Sequence, residues 1–532
     1  MAGSADKIQG FSKDGSLSEG AAIALEQLRG RIREEAPDQE TVLQAVATSR
    51  QASEDSGLAV ERASTATQTA AEARTFAVNA NAGTDQGVAG LIEQRGSQTQ
   101  GALDSVYART KGRPISAYDH GVRPDVADIT KPLSDLIAAN PGATITLAPG
   151  SYTASADNGG VTSYDRGIKL NRPDVTIDLR GATISVIPNS AGNYQLITAT
   201  APDCRILGGR LVGDVTKHKA TDGEWGHGIV ATTGGDRLLV DGTFITQMWG
   251  DGVFMDGDAA DVCLRSVIAD GNRRQGCSIT NNVRPRIEGG AYINTGIHGF
   301  TAPGAGIDIE PDPNMGHKVV DFVLVKPLVA GNFGPGLQVC AAPGATTTGS
   351  ADVRSSGNRG HGVLTDTMGV PDLYSVTIQA DSRGNGGSGI VNNVAGTRFK
   401  ACLSTGNAER GWVINANVVL MTPLAENNGM SGYYVDAGAS GSLITGLTSA
   451  NNCRSANDTY PDVDIWAPNV TINNGVSVAP STGNRASYGW VVRPGAKGVR
   501  LSGCDAAGSY VQGKYLSLAG DTYARPEPGG AA

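Results

Sequence analysis

From Gly226 to about Val435 the apolar positions follow a short-strand grammar: a glycine, then residues alternating between one face and the other. Glycines 228, 252, 276, 306, 336, 362, 389, 411 and 432 mark the repeat, at spacings of 24, 24, 30, 30, 26, 27, 22 and 21 residues. That is the period of one solenoid turn. The residue after each glycine is apolar or aromatic (Ile229, Val253, Cys277, Ile307, Leu337, Val363, Ile390, Trp412, Tyr433), so this column points inward. The pattern predicts a mainly β chain wound as a right-handed parallel β-helix over residues 113–515.

The N-terminal part reads differently. Between Leu17 and Tyr107 the chain is rich in Ala, Gln, Glu, Arg, Ser and Thr and nearly free of proline. A broken 3,4 alternation (Leu25, Leu28, Ile32, then Val42, Val46 and Val60) predicts an α-helical stalk of coiled-coil type over residues 1–112, formed by helices from several chains. The alternative is a floppy polar tether. After Lys111-Gly112-Arg113-Pro114 the grammar turns to β. Residues 115–152 predict a strand, a helix around Pro132–Asn140 and a strand closing on Pro149-Gly150-Ser151-Tyr152, a layout that resembles the capping segment of pectate-lyase-like β-helices, and residues 516–532 a loosely ordered polar tail.

Composition agrees with a turn-rich β architecture. Among 532 residues there are 73 Gly and 24 Pro but only 18% charged residues, and glycine and proline both weaken helix interiors. A net charge of -9 argues against nucleic acid or an anionic membrane as partner. Without a long apolar run or a basic-then-apolar N-terminus, the expectation is neither membrane insertion nor a signal peptide. The 7 cysteines are scattered with no CxxC pair, so they read as small buried residues, with no metal or cofactor implied.

If the column after each glycine is inside, the positions before, two after and four after it share the outer face. On the first four rungs that face collects His227, Asp251, Phe254, Asp256, Asp308 and Glu310, with Arg273, Arg274 and Gln275 entering the third rung. Asp256 and Glu310 lie two rungs apart, about 10 Å at a strand spacing of about 4.8 Å. The value overlaps the spacing of about 6.5 to 9.5 Å between the acid and base of an inverting glycosidase. Asp256 and Glu310 are therefore the catalytic candidates, with Asp308 as the substitute for either. Carboxylates crowded on a partly dry surface repel, which keeps a proton on one of them. Arg273 or Arg274 would hold a partner ionised or grip an acidic sugar, Phe254 offers a flat face to a sugar ring, and His227 a hydrogen-bond donor. The same residues also suit turn caps or a surface salt-bridge network.

The runs Gly250-Asp251-Gly252-Val253, Asn272-Arg273-Arg274-Gln275-Gly276-Cys277 and Gly306-Ile307-Asp308-Ile309-Glu310-Pro311 resemble those of phage-associated β-helix proteins of the pectate-lyase-like and tailspike-like class. The likeness spans Ile115 to about Asn332. It implies a homotrimeric spike on the virion surface, at a tail or head, made in the host cytoplasm and joined to other virion proteins through its N-terminal region. Such spikes bind host-surface capsule, exopolysaccharide or lipopolysaccharide and often cut it, by hydrolysis rather than elimination here, because no run of aspartates matches the calcium site of true pectate lyases. The implied site is Asp251, Asp256, Arg273, Arg274, Asp308 and Glu310. A non-catalytic receptor-binding adhesin and a structural spike scaffold are the alternatives.

Overall fold

The computed structural model describes residues 114–156, 167–221 and 223–519, all within one unit, Val106–Ala532. The expected helical stalk and most of the polar tail lie outside the described residues. Within them the chain is a parallel β-helix. One face is a 14-stranded sheet, and the other strands form ladders that merge into a second, 28-stranded sheet. The merging occurs where single strands run on around the corner, as in Lys318–Ala330, Thr346–Ser356 and Leu373–Arg383. No helix among the described residues is long and apolar enough to cross a membrane.

The 14-stranded sheet carries the glycine repeat. Ile229 pairs with Val253, Val253 with Cys277, Cys277 with Ile307 and Ile307 with Leu337, and the register continues through Val363, Ile390 and Trp412 to Tyr433. All of these residues are fully buried. Large side chains stack along the same axis: the Trp412 ring lies 5.3 Å from Phe399 edge-on and 6.1 Å from Tyr433 in parallel. Burying each such ring removes apolar surface from water at about 25 cal/mol per Å². Five further strands extend the sheet, Ile168–Leu170 and Asn193–Ala199 before the repeat and Val463–Ile465, Tyr488–Val492 and Gly513–Ser517 after it.

The glycines are required by what packs against them. From Leu337 to Val463, an asparagine turns into the core at the corner before each of these strands, and its Oδ1 accepts from the backbone N–H of the asparagine one turn earlier: Asn358 from Asn332, Asn385 from Asn358 and Asn407 from Asn385, each at 3.0–3.1 Å. Asn407 and Asn428 continue the ladder to Asn452. The side-chain amides also donate to serines three residues back, Asn385 to Ser382 and Asn407 to Ser404. A Cβ on Gly362 would lie 2.7 Å from Asn385 Nδ2 and 2.6 Å from the Gly389 carbonyl, and one on Gly306 would lie 2.7 Å from Asn332 Nδ2. Alanine has no room there. In the Ser-x-Gly-Asn corners the residue before the asparagine is left-handed, with φ of 60° at Gly357 and 59° at Gly384, which glycine adopts freely. At the Val463–Ile465 strand the glycine is replaced by Asp462, whose buried carboxylate accepts from Asn452, Ser449 and Ser477 and closes the ladder.

The N-terminal end is covered by the helix Thr130–Ala139, which buries Leu133, Leu136 and Ile137 and packs on Ile168–Leu170. It starts two residues before the expected Pro132, because the Asp128 carboxylate accepts from the Thr130 N–H at 2.9 Å and leaves Pro132 in the first turn, where it is tolerated. All seven cysteines are unpaired; six are buried and Cys263 is half-buried.

The ladder makes a direct prediction. Asn385→Ala strands buried donors on Asn358 and leaves Asn407 Oδ1 without its amide, at about 1–3 kcal/mol per unmet group. Asn415→Ala, which removes one exposed hydrogen bond to Asn393, should cost under about 0.5 kcal/mol. Denaturant titration of the two variants should separate them by several-fold in stability loss; equal losses would mean that the ladder does not hold the coil.

Candidate functional site

On the outer face of the 14-stranded sheet, over the strands from Asn193–Ala199 to Ile307–Ile309, lies a cleft of about 440 Å³. Its floor and walls include His227, Phe254, Asp256, Arg274 and Glu310. The register places Met255, Ile279 and Ile309 side by side, so Asp256, Thr280 and Glu310 leave three neighbouring strands at the same level. Asp256 and Glu310 are thus two ladder steps apart, about 10 Å at the backbone. The Asp256 carboxylate accepts from the Thr280 hydroxyl at 3.0 Å.

Three of the expected site residues form the layer under the cleft, and a fourth, His227, is nearly closed over in its floor. Asp251, Gln275 and Asp308 are fully buried and His227 is 1% exposed, so the face is a packed polar layer rather than an open patch. The reason is a closed hydrogen-bond network. Arg274 Nη1 reaches Asp251 at 3.2 Å and also Gln275; Ser278 donates to Asp251 at 2.9 Å and to Gln275; the Gln275 amide donates to Asp308. Burial works against the Arg274 charge, but the carboxylates of Asp251, Glu310 and Glu224 around it outweigh that and hold it protonated. Burial also pushes the Asp251 carboxyl up, against the pull of Arg274 and Ser278.

Asp308 is the group furthest from its ordinary state. Burial, then the negative charge of Glu310 and a hydrogen bond with it, push its carboxyl well above the usual range. Its Oδ1 is buried with no donor facing it. A proton on Asp308 resolves both facts by bridging to Glu310, since two ionised carboxylates cannot share such a contact. Burial and the Glu310 contact therefore favour the protonated form of Asp308, beside a carboxylate that lines the cleft.

His227 is neutral. Burial and then Arg274 depress its pKa to about 3, and its Nδ1 accepts the Asp251 backbone N–H at 3.1 Å, which leaves the proton on Nε2. Its ring stacks on Phe254 at 4.7 Å with 5° between planes, so histidine and phenylalanine form one rigid plate in the cleft.

Arg273 takes a different course from its neighbour. Its guanidinium sits 3.8 Å over the Trp249 ring and donates to the carbonyls of Gly223 at 2.8 Å and Trp249 at 3.1 Å, outside the cleft lining. Trp249 in turn stacks on His218 at 3.9 Å, and His218 Nδ1 is 2.9 Å from Asp214, which accepts from the Tyr194 hydroxyl at 2.7 Å. This stack fixes the loop ending in Glu224 and Trp225, which form the cleft wall. Trp225 is 53% exposed there.

Several lining residues escape sequence reasoning. Asn193 and Gln195 pair with Trp225 and His227, but their strand has Leu196 where the repeat has glycine. Glu224 and Trp225 precede the columns that the glycine defines. Ser278 and Thr280 fall in those columns yet carry no charge to single them out, and Asp312 follows the Glu310-Pro311 pair. Among the described residues no three His, Cys, Asp or Glu side chains gather to hold a metal ion.

No protein-family model matches the chain, and no curated protein matches it. Solved structures similar in winding include the A-module of mannuronan C-5 epimerase AlgE4 from Azotobacter vinelandii, with 19% identity, a TM-score of 0.46, and coverage of 77% of this chain and 99% of that one. The Dettilon tailspike protein aligns at 11% identity and a TM-score of 0.40, covering 76% of this chain and 68% of that one. The catalytic unit of a GH87 α-1,3-glucanase from Streptomyces thermodiastaticus aligns at 13% and 0.37, covering 78% and 69%. Identities and scores in this range carry no chemistry across, so the cleft's own residues have to supply it.

The buried proton has a measurable sign. Asp308 has a raised folded pKa, so the unfolded chain gives up that proton first, near pH 4, and the fold loses stability as pH rises from there through the folded value. Asp308→Asn should remove this loss, flattening the stability profile by up to about 1.4 kcal/mol per pH unit over that interval. Thermal melts of both proteins across the range check it; parallel profiles would show that Asp308 is ionised.

Proposed function

We propose that this chain binds a cell-surface polysaccharide in the cleft and hydrolyses it with inversion. The observation that carries the reading is that Asp256 and Glu310 both line one cleft, level in the ladder and two steps apart, with the buried carboxyl of Asp308 against Glu310. In this scheme Glu310 delivers the proton it shares with Asp308 to the glycosidic oxygen as that bond breaks. Asp256, oriented by Thr280, takes a proton from a water that attacks the anomeric carbon from the far side. The His227 Nε2–H and Arg274 donate to sugar hydroxyls, while the Phe254 and Trp225 rings offer flat contact. Asp251 and Gln275 act through Arg274 and Ser278, and Arg273 through the loop that carries Glu224.

A shallow site along a ladder suits a polymer, because each turn repeats its contacts at a fixed spacing. The reading extends to a virion spike, trimeric, attached to its particle through the N-terminal region and displaying this face to a host polysaccharide. Three copies would add avidity. A receptor-binding adhesin without turnover is the second reading, favoured by the exposed Trp225 and the His227–Phe254 plate, which bind a sugar whether or not it is cut.

Asp256→Asn and Glu310→Gln should each lower the release of new reducing ends about 10²–10⁴-fold while the chain still folds and melts cooperatively, as expected for loss of a general acid or base. The anomer first formed, read by NMR, should be opposite to that of the polymer. Retained configuration would rule out the two-carboxylate inverting scheme. Binding without any release of reducing ends by the wild-type chain would establish the adhesin.

A further inference from the structure

The outer columns that supply Asp308 and Glu310 continue in register far beyond the cleft. Asp308 pairs with Gln338, and the ladder runs through Leu364, Val391 and Val413 to Tyr434 and then Asp464. Trp466 stands two residues after Asp464, as Glu310 stands two after Asp308. Six ladder steps at about 4.8 Å put Trp466 about 29 Å from Glu310 along the same face.

Chemistry returns at these rungs. Trp466 is 39% exposed, with the Arg493 guanidinium 5.1 Å over its ring, and Arg493 donates to both oxygens of Asp464 at 2.6 and 3.0 Å. Tyr434 carries the Arg410 guanidinium 4.5 Å over its ring and donates its hydroxyl to Asp436 at 3.1 Å. Arg410 Nε is buried without an acceptor among the described residues. Two rings, each braced on one side by a cation, next to fixed guanidinium and carboxylate groups, match the apolar face and the vicinal hydroxyls of a pyranose. The patch is charge-balanced, two arginines against two aspartates. The cleft is lined by Glu224, Asp256, Glu310 and Asp312 against Arg274, so a polyanion would be repelled at the cleft and gain no net attraction at the distal patch.

We infer that Tyr434 and Trp466, with Arg410 and Arg493, form a distal subsite for an uncharged pyranose unit of the polymer whose scissile linkage lies between Asp256 and Glu310. The subsite rests on the polysaccharide reading above and adds its span and charge class. One polymer strand follows the helix axis, held at both ends of a path of about 29 Å.

The experiment measures reducing-end release by the wild-type chain and by Trp466→Ala and Trp466→Phe. Its substrates are uncharged polymers (dextran, pullulan, mannan, galactan), uronate polymers (alginate, polygalacturonate), and size-fractionated fragments of whichever is cut. The expected result is action on an uncharged polymer. Trp466→Ala should then raise KM about tenfold on fragments long enough to bridge both places, with kcat unchanged, the size of effect typical of truncating an aromatic anchor. Shorter fragments should show no change, and Trp466→Phe should restore the long-fragment KM. Equal KM for wild type and Trp466→Ala at every length overturns the subsite while leaving the cleft reading intact. Action confined to uronate polymers overturns the charge class, and loss of assembly in Trp466→Ala by light scattering makes the patch a subunit contact instead. No action on any polymer removes the cleft reading and the subsite with it.

Discussion

Everything in this coil depends on how closely its glycine column approaches its asparagine ladder. Turns such as those at Gly306, Gly362 and Gly389 place a backbone without Cβ against an asparagine amide and against the next glycine's carbonyl. A hydrogen bond from one asparagine to the next then fixes the vertical offset between turns. A slip of one residue would put every outer side chain inside and every core residue in water. Register is therefore set in the dry interior, although its consequences are felt on the surface.

The cleft is such a consequence. Asp256 and Glu310 are 54 positions apart in the chain and have no local reason to meet. They reach the same cleft because Met255, Ile279 and Ile309 sit level in the ladder. The layer beneath then sets protonation: Asp308 is fully buried, and the charge acting on it most strongly is another carboxylate, Glu310. His227 is kept neutral by the same dryness and by Arg274. A rigid polar layer of this kind needs little reorganisation when charge develops above it, which is what catalysis by fixed dipoles requires.

Outside the sheet, the stack of Arg273, Trp249 and His218 shows how a loop can be made part of a rigid face. Two rings and a guanidinium lie in successive planes, and the Gly223 carbonyl is tied to the last of them. The neighbouring arginines thus divide the work: Arg274 enters the cleft, and Arg273 holds its wall.

The glycine spacing and the apolar residue after each glycine were enough to predict the coil, its inward column and the stacking order of nine strands, because glycine at a crowded corner leaves a mark in composition. The Ser-x-Gly-Asn corners at Ser382-Arg383-Gly384-Asn385 and Ser404-Thr405-Gly406-Asn407 left an equally readable mark, and they name the ladder that the glycines accommodate. Alternation could assign Asp251, Asp308 and Gln275 to the outer face, but whether that face is wet depends on what neighbouring turns and loops lay over it. Only the folded chain decided that these three are buried, that Arg273 and Arg274 part company, and that Trp225, Gln195 and Asp312 join the cleft. Side-chain direction follows from local periodicity, whereas burial, protonation and the company a side chain keeps are set by segments distant in the chain.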